Sequence, residues 1–233
     1  MQEIQQLKGK TIVIIGASKG IGREVALQAK HLGANLVLGS RSQSNLSGDH
    51  ILELPLDVRN EQSVQTFCEK AMQTFGNVDV LINSAGVGTF SSILESSTED
   101  FDQMLAVNLR GAYLTCKYFG KQMVKQGNGQ IINLVSIAGT TALPGNGGYS
   151  ASKFGLLGFT RVLQAELRAK GVQITSVIPG AVSSSFWDQI NPKPNMDNMI
   201  PVETVAQHIM HLITQPAGAF VDEITIMPPL GIL

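Results

Sequence analysis

Short runs of β-branched and other apolar residues alternate with longer amphipathic stretches along the whole chain, and only a layered arrangement of strands and helices buries both kinds of segment at once. The strand-like runs are Thr11 to Ile15, Asn35 to Leu38, Ile51 to Pro55, Val80 to Asn83, Gln130 to Val135, Val172 to Ile178 and Phe220 to Met227. Helical patterns lie between them at about Ile21 to Leu32, Glu61 to Phe75, Thr98 to Lys125, Tyr149 to Lys170 and Val202 to Thr214. Repeated β-α units of this kind predict an α/β fold: one doubly wound domain with a parallel seven-stranded sheet flanked by helices. A chain of 233 residues suits one such domain, and no Pro/Gly/Ser-rich linker divides it. Gly33 and Gly171 follow their helices, and Ser97 three residues before Asp100 is placed to form a capping box.

Two connections break the rhythm. Residues Arg41 to His50 are polar and too few for a crossover helix of ordinary length, so an irregular link is expected there. Gly180 to Pro201 carries Ser183, Ser184, Ser185, Phe186, Trp187 and three prolines, a composition suited to a mobile flap over a substrate. With Thr141 to Gly148 it is expected to line a pocket, in which Phe186, Trp187, Leu143 and Ile190 suit an apolar guest or else serve as the flap's own packing.

Composition removes several function classes. A formal net charge of -1 offers no basic footprint for nucleic acid. No segment approaches the roughly 20 apolar residues that span a bilayer, and Met1 to Lys10 carries charge and glutamines, so no membrane partner and a cytoplasmic location are expected. The two cysteines, Cys68 and Cys116, lack CxxC spacing and read as small core hydrophobes. His208 and His211 stand three apart on a helix without a visible third ligand, so no metal site is expected.

The first strand runs into Gly16-Ala17-Ser18-Lys19-Gly20-Ile21-Gly22 and then directly into a helix. Glycines at these positions let the backbone turn tightly and approach a pyrophosphate, to which the helix N-terminus presents unpaired N–H groups. The spacing is GxxxGxG, neither GxGxxG nor a P-loop. The second strand ends in Leu38-Gly39-Ser40-Arg41-Ser42, without the carboxylate that would accept bonds from ribose hydroxyls. Arg41, Ser40 and Lys19 instead suit a 2′-phosphate, provided the glycine turn lies beside that strand end, so NADP(H) is expected over NAD(H). Asp57 is a candidate acceptor for the adenine amino group or a plain surface turn.

Tyr149 and Lys153 stand four apart at the start of a helix, which puts both side chains on one face. A nearby ammonium favours phenolate, so Tyr149 is expected to exchange a proton with a substrate oxygen nearer neutral pH. Ser136, at the end of a strand, is placed to donate a hydrogen bond to a developing alkoxide.

Together these residues resemble the short-chain dehydrogenase/reductase family, over nearly the whole chain. The matching motifs are Gly16-x-x-x-Gly20-x-Gly22, Asn83-Ser84-Ala85-Gly86, Asn108 within a long helix, Ser136, Tyr149-x-x-x-Lys153 and Pro179-Gly180. The resemblance implies a Rossmann-like domain in which Tyr149 protonates the alkoxide and Ser136 orients and polarises the carbonyl. It implies that Lys153 holds the nicotinamide ribose and lowers the tyrosine pKa, and that Asn108 completes a proton relay through a water, or else is a helix-kink amide. It implies cofactor contacts at Gly16, Ser18, Lys19, Gly20, Ile21, Gly22, Ser40, Arg41, Asp57, Val58, Asn83, Ala85, Gly86, Tyr149, Lys153, Pro179, Gly180, Val182 and Ser184. Three departures stand out: Ile15 for a threonine before the first glycine, Ser84 for the second asparagine of NNAG, weakening the bracing of the central strand, and Ser184 for a threonine beside the carboxamide.

The expected activity is NADPH-dependent reduction of a ketone or aldehyde, with a 3-oxoacyl thioester reductase and a non-catalytic NADP(H)-sensing protein as alternatives. Val221 to Pro229 lacks the Gly-Gly ending frequent in the acyl reductases, and no basic run is evident to dock an acidic carrier. Apolar residues on more than one side of the two long helices, including Met104, Leu114, Leu156, Phe159 and Leu163, imply by resemblance a homodimer or homotetramer, or else burial against the chain's own sheet.

Overall fold

The computed structural model describes residues 6–190, 192–216 and 218–232. Met1 to Gln5, Asn191, Ala217 and Leu233 lie outside the described residues, and so therefore does half of the charged N-terminal stretch. In chain order the elements are β1 (Thr11–Ile15), α1 (Gly20–His31), β2 (Asn35–Ser40), β3 (Ile51–Pro55), α2 (Glu61–Phe75), β4 (Val80–Asn83) and α3 (Thr98–Met104). They continue with a π-helical segment (Leu105–Gly111), α4 (Ala112–Gln126), β5 (Gly129–Leu134), α5 (Gly147–Leu167), β6 (Val172–Pro179), β7 (Val182–Ser183), β8 (Ile200–Pro201), α6 (Val202–Thr214) and β9 (Glu223–Ile226).

Seven strands form one parallel sheet in the order β3-β2-β1-β4-β5-β6-β9. Successive strand residues point to opposite faces, and both faces are covered, so nearly every residue of β1 is apolar. Ile12 and Ile14 join the cluster under α1 and α6, while Val13 and Ile15 join the one under α2 and α4. Chain order reverses between β1 and β4, so the connections leave in opposite directions and open a crevice at the carboxyl ends of these strands.

A polar cluster sits inside this apolar sheet where Asn83 of β4 stands opposite Asn133 of β5. Asn83 Nδ2 donates to Asn133 Oδ1 at 2.8 Å, and Thr115 Oγ1 of α4 donates to Asn83 Oδ1 at 2.7 Å. Asn133 Nδ2 donates to Thr160 Oγ1 of α5 at 2.9 Å, and Thr160 passes its proton to the Leu156 carbonyl at 2.7 Å. Buried amides are costly unless paired, and here each is paired. The network fixes two helices and two strands in one register.

Several expectations need correction. The pattern from Thr98 to Lys125 is not one regular helix, because residues 105–111 adopt the wider π form. The last strand is shorter than Phe220 to Met227: Thr175 Oγ1 donates to the Val221 carbonyl at 2.7 Å ahead of it, while Pro228 has no N–H to extend the far end. The 180–201 loop is partly ordered by the β7–β8 pair and by a 3-10 turn at Ser185–Gln189. Half of the capping box at Ser97 forms, its Oγ accepting from Asp100 N at 3.1 Å. The 41–50 link is irregular, tied down by Ser44 N donating to Glu53 and Lys30 Nζ donating to the Ser47 carbonyl. Met104, Leu114 and Leu156 are buried within the chain itself, and Phe159 and Leu163 are half-buried against it.

Replacing Asn133 with alanine leaves Asn83 and Thr160 without their partners and is expected to cost about 1–3 kcal/mol. A lower urea midpoint at unchanged slope checks this. The Asn83→Ala/Asn133→Ala pair should fall short of the sum of the single changes, and strict additivity would show the two amides to be independent.

Candidate active site

The glycine turn between β1 and α1 is shaped by contacts that tolerate no side chain. Gly16 has φ +86, and a Cβ there would lie 2.6 Å from the Ala85 nitrogen. A Cβ on Gly22 would overlap the Gly16 carbonyl and the Ser84 hydroxyl. Ser84 is therefore not a loss of bracing: its Oγ donates to the Ile15 carbonyl at 2.8 Å, joining the ends of β4 and β1. Lys19 occupies the N-cap of α1 without a side-chain cap, so the first-turn N–H groups of that helix, near Ser18, Gly20 and Ile21, keep no internal acceptor. This uncapped end beside close-approach glycines fits the pyrophosphate of a dinucleotide.

Gly16 N donates to the Gly39 carbonyl at 2.7 Å, which sets the turn beside the end of β2. Exposed Lys19 and Arg41 and half-buried Ser40 thus share one corner, as the 2′-phosphate argument requires. Asp57 is drawn into an ion pair, with Arg59 Nη2 at 2.7 Å and Nε at 2.9 Å. The Arg59 guanidinium holds its carboxyl below the usual range, and the charge of Arg41 adds to the effect. Arg110 of the π segment steadies this corner by donating to the Arg59 carbonyl at 2.6 Å. Val58 is buried against the spot where a Gly111 Cβ would stand.

The chemical end is built where β5 meets α5. Gly139, in the turn after β5, has no room for a Cβ because the Lys153 carbonyl would be 2.8 Å away. That approach brings Ser136 next to the first turns of α5. Lys153 is buried, its Nζ donating to the Leu134 carbonyl at 2.8 Å and lying 5.7 Å from the Tyr149 ring centroid. Burial lowers its pKa to about 8. Burial also pushes the Tyr149 phenol up to about 12, against the opposing pull of a hydrogen bond with Ser136. Burial is the largest cause of the shift in both groups, so in the chain alone the phenol stands above its ordinary value. Ser136 Oγ accepts from Ala138 N at 3.1 Å, and its hydroxyl is hydrogen-bonded to Tyr149.

Asn108, in the π segment, is buried and accepts from Val87 N and donates to the Val87 carbonyl, both at 2.9 Å. Its other N–H goes to Ser152 Oγ at 3.0 Å, and Ser152 donates to the Tyr149 carbonyl at 2.7 Å. Its amide thus strings the strand-end loop and the tyrosine turn together, spending both N–H groups and one lone pair. Gly86 lies beneath, where a Cβ would be 3.6 Å from Asn108 Oδ1 and 3.9 Å from Lys153 Nζ. Asn83 and Ala85 close this wall, but the Asn83 side chain is turned into the buried network described above.

The opposite wall begins at Pro179-Gly180, where Gly180 N donates to the Ile226 carbonyl at 2.8 Å. Val182 is buried and paired with Ile200. Ser184 lies 3.8 Å from where a Gly20 Cβ would stand, and its Oγ accepts from Phe186 N at 3.3 Å, capping the 3-10 turn. Four rings then converge. Phe90 lies 5.7 Å from Tyr149 and from Trp187, and Phe186 lies 5.7 Å from Tyr149 and 5.2 Å from Trp187. The sequence pointed to Phe186 and Trp187 but not to Phe90 or Ser152; Phe90 sits in a loop without periodicity, whereas Ser152 was visible as the residue one turn from Tyr149. The 141–148 segment is tied to the same loop by Ser91 N donating to the Gly145 carbonyl at 2.9 Å.

Among the described residues no group of three or more His, Cys, Asp or Glu is placed to hold a metal ion, and no helix is long and apolar enough to cross a membrane.

Comparison with known proteins matches residues 10–195 to the short chain dehydrogenase family. A Staphylococcus aureus (strain MW2) protein described as an uncharacterized oxidoreductase is 33% identical over 229 residues, covering 95% of this chain and 98% of its own. A Synechocystis 3-oxoacyl-[acyl-carrier-protein] reductase is 31% identical, covering 92% and 93%. Among solved structures, an alcohol dehydrogenase from the archaeon Thermococcus sibiricus complexed with 5-hydroxy-NADP superposes with a TM-score of 0.84 at 30% identity, over 93% of this chain and 95% of its own. With its parallel sheet, its glycine turn and its Ser-Tyr-Lys corner, this chain belongs to the short-chain dehydrogenase family of oxidoreductases.

Proposed function

We propose that the protein is an NADP(H)-dependent reductase that converts a ketone or aldehyde to an alcohol, with Tyr149 as the general acid. The observation that carries this reading is the contact of Ser136, Tyr149 and Lys153 at the mouth of a glycine turn with an uncapped helix behind it. The nicotinamide, when bound, supplies the hydride to the carbonyl carbon.

The chain's own groups handle the oxygen. Ser136 turns its hydroxyl proton from Tyr149 to the carbonyl oxygen and polarises it. Tyr149, raised to about 12, is fully protonated near neutral pH and so is in the donating state. As the oxygen becomes an alkoxide, the phenol proton moves to it and a phenolate remains. Lys153, mostly ammonium below about 8, stabilises that phenolate and offers its remaining N–H groups to the ribose. Asn108 acts as a positioning residue that keeps Ser152 and the tyrosine turn in place, and any relay water meets the remaining lone pair of its amide oxygen.

NADP(H) is favoured over NAD(H) by Lys19, Ser40 and Arg41 around a β2 end that has no carboxylate. A second reading, reduction of a 3-oxoacyl thioester, is favoured by the Synechocystis relative, and acetoacetyl-CoA in the substrate panel distinguishes the two. Self-association into a dimer or tetramer in the cytoplasm completes the proposal, supported by exposed Tyr113 on α4 and exposed Phe154 and Val162 on α5.

Four outcomes are expected. Tyr149→Phe lowers kcat by about 10²–10⁴-fold while leaving NADPH binding, followed by cofactor fluorescence, intact. Wild-type protein that binds NADPH but oxidises none of it across a carbonyl panel would overturn the reading. Affinity for NADPH weakens as pH rises through about 8, where Lys153 loses its charge, and Lys153→Met binds more weakly without that inflection. Arg41→Ala weakens NADPH roughly ten- to hundredfold and spares NADH, from the loss of a charged hydrogen bond; an unchanged preference sinks the 2′-phosphate assignment. Sedimentation reports a dimer or tetramer that Phe154→Glu shifts toward monomer, and a wild-type monomer refutes the assembly.

A further inference from the structure

The ring cluster above Tyr149 says what kind of carbonyl compound this site takes, given the carbonyl reductase reading on which the inference rests. Any carbonyl that reaches the Tyr149 hydroxyl must lay its substituents against the Tyr149 ring and the loops around it. That space is walled by Phe90 from the loop after β4 and by Trp187 from the 3-10 turn, whose rings lie 5.7 Å apart at an interplanar angle of 31°. The floor is Gly88, where a Cβ would come within 2.6 Å of the Phe186 ring, 3.2 Å of Phe90 and 3.3 Å of Tyr149.

The Phe186 ring, carried on the 3-10 turn, packs against all three of the others. It meets Tyr149 at 5.7 Å and 53°, Phe90 at 6.1 Å and 57°, and Trp187 at 5.2 Å and 88°. The only polar side-chain atoms these four residues carry are the Tyr149 hydroxyl and the Trp187 indole N–H, and the latter donates to the Val182 carbonyl at 2.8 Å. With its N–H engaged, the indole presents only carbon edges and faces to a guest. A charged or strongly polar substituent would shed its water here without acquiring a partner. A phenyl ring already fits, because Phe186 supplies one.

We propose that Phe186 holds the seat of the substrate's own substituent, so that the preferred substrate is a carbonyl compound bearing a flat, uncharged ring next to the carbonyl, as in an aryl ketone. The substrate ring displaces Phe186 on its short 3-10 turn and takes over its edge and face contacts with Phe90, Tyr149 and Trp187. Phe90 and Trp187 are then specificity-determining residues, and Phe186 is a resident competitor.

A matched pair of ketones tests this. Acetophenone and cyclohexyl methyl ketone share the carbonyl and the carbon skeleton and differ in the flatness of the ring and in its conjugation, which makes acetophenone the less electrophilic of the two, so a preference for it reports the fit of the ring. In NADPH-dependent turnover acetophenone is expected to show a kcat/KM larger by on the order of tenfold, a ratio that collapses in Phe90→Leu. Phe186→Ala lowers the KM for acetophenone, because its competitor is gone. Trp187 is the only tryptophan of the chain. Its emission in the NADP+ complex, where no reduction occurs, therefore responds saturably to acetophenone and not to the cyclohexyl ketone. Turnover at equal efficiency with both ketones, or identical emission responses, overturns this inference and leaves the proposed function standing. No NADPH oxidation with any carbonyl overturns the function instead, and the emission titration still decides whether the rings select a flat guest.

Discussion

The site depends on placing an amine where water does not reach. Lys153 is buried, and its Nζ donates to the carbonyl that ends β5. An ammonium in such a place costs free energy, which appears as a pKa lowered to about 8. The same enclosure raises the phenol beside it, so each group's charged form is held less firmly than it would be in an exposed pair. A site strained in this sense gains from any ligand that brings hydroxyl groups to the amine and negative character to the tyrosine oxygen. That is what a ribose and a developing alkoxide provide, which makes this corner better suited to a transition state than to the empty protein.

Positioning follows from the topology. The glycine turn and the Ser84 brace belong to the strands on either side of the point where chain order reverses, while Ser136 and Lys153 arrive one strand further along. No loop has to be long to bring them together. The Asn83–Asn133–Thr115–Thr160 network lies directly behind, so the polar groups that fix the sheet register also fix the spacing between the cofactor end and the chemical end.

Much of this was legible in the chain. Thr11–Ile15, Ile51–Pro55, Val80–Asn83 and the helices Glu61–Phe75 and Val202–Thr214 stand where periodicity put them, and Glu61–Phe75 is also punctuated, with Asn60 as its cap and Gly76 after it. The glycine turn and the Tyr149–Lys153 spacing are local features, and local features survive folding. What spacing does not carry is burial. Proximity of an ammonium to a phenol suggested a lowered tyrosine pKa, whereas burial, which spacing does not report, acts to raise it. Spacing could not show that the Asn83 side chain is engaged by residues 32 and 50 positions away in the chain. Phe90 gave no signal, since its partners Phe186 and Trp187 lie about a hundred residues downstream and meet it only through the fold.

The π segment at Leu105–Gly111 carries one more consequence. An α-helix repeats every 3.6 residues, and a wider turn advances the phase of everything that follows it. The residues before the segment, Phe101 and Met104, stand against Gly148 at the start of α5. Those after it, Leu114, Phe119 and Met123, face the sheet. Asn108 sits at the phase change itself, turned toward Val87 and Ser152. A single rod with a uniform pitch presents one stripe to its surroundings; this one is regeared midway, so that the same helix serves the sheet with one half and the tyrosine turn with the other.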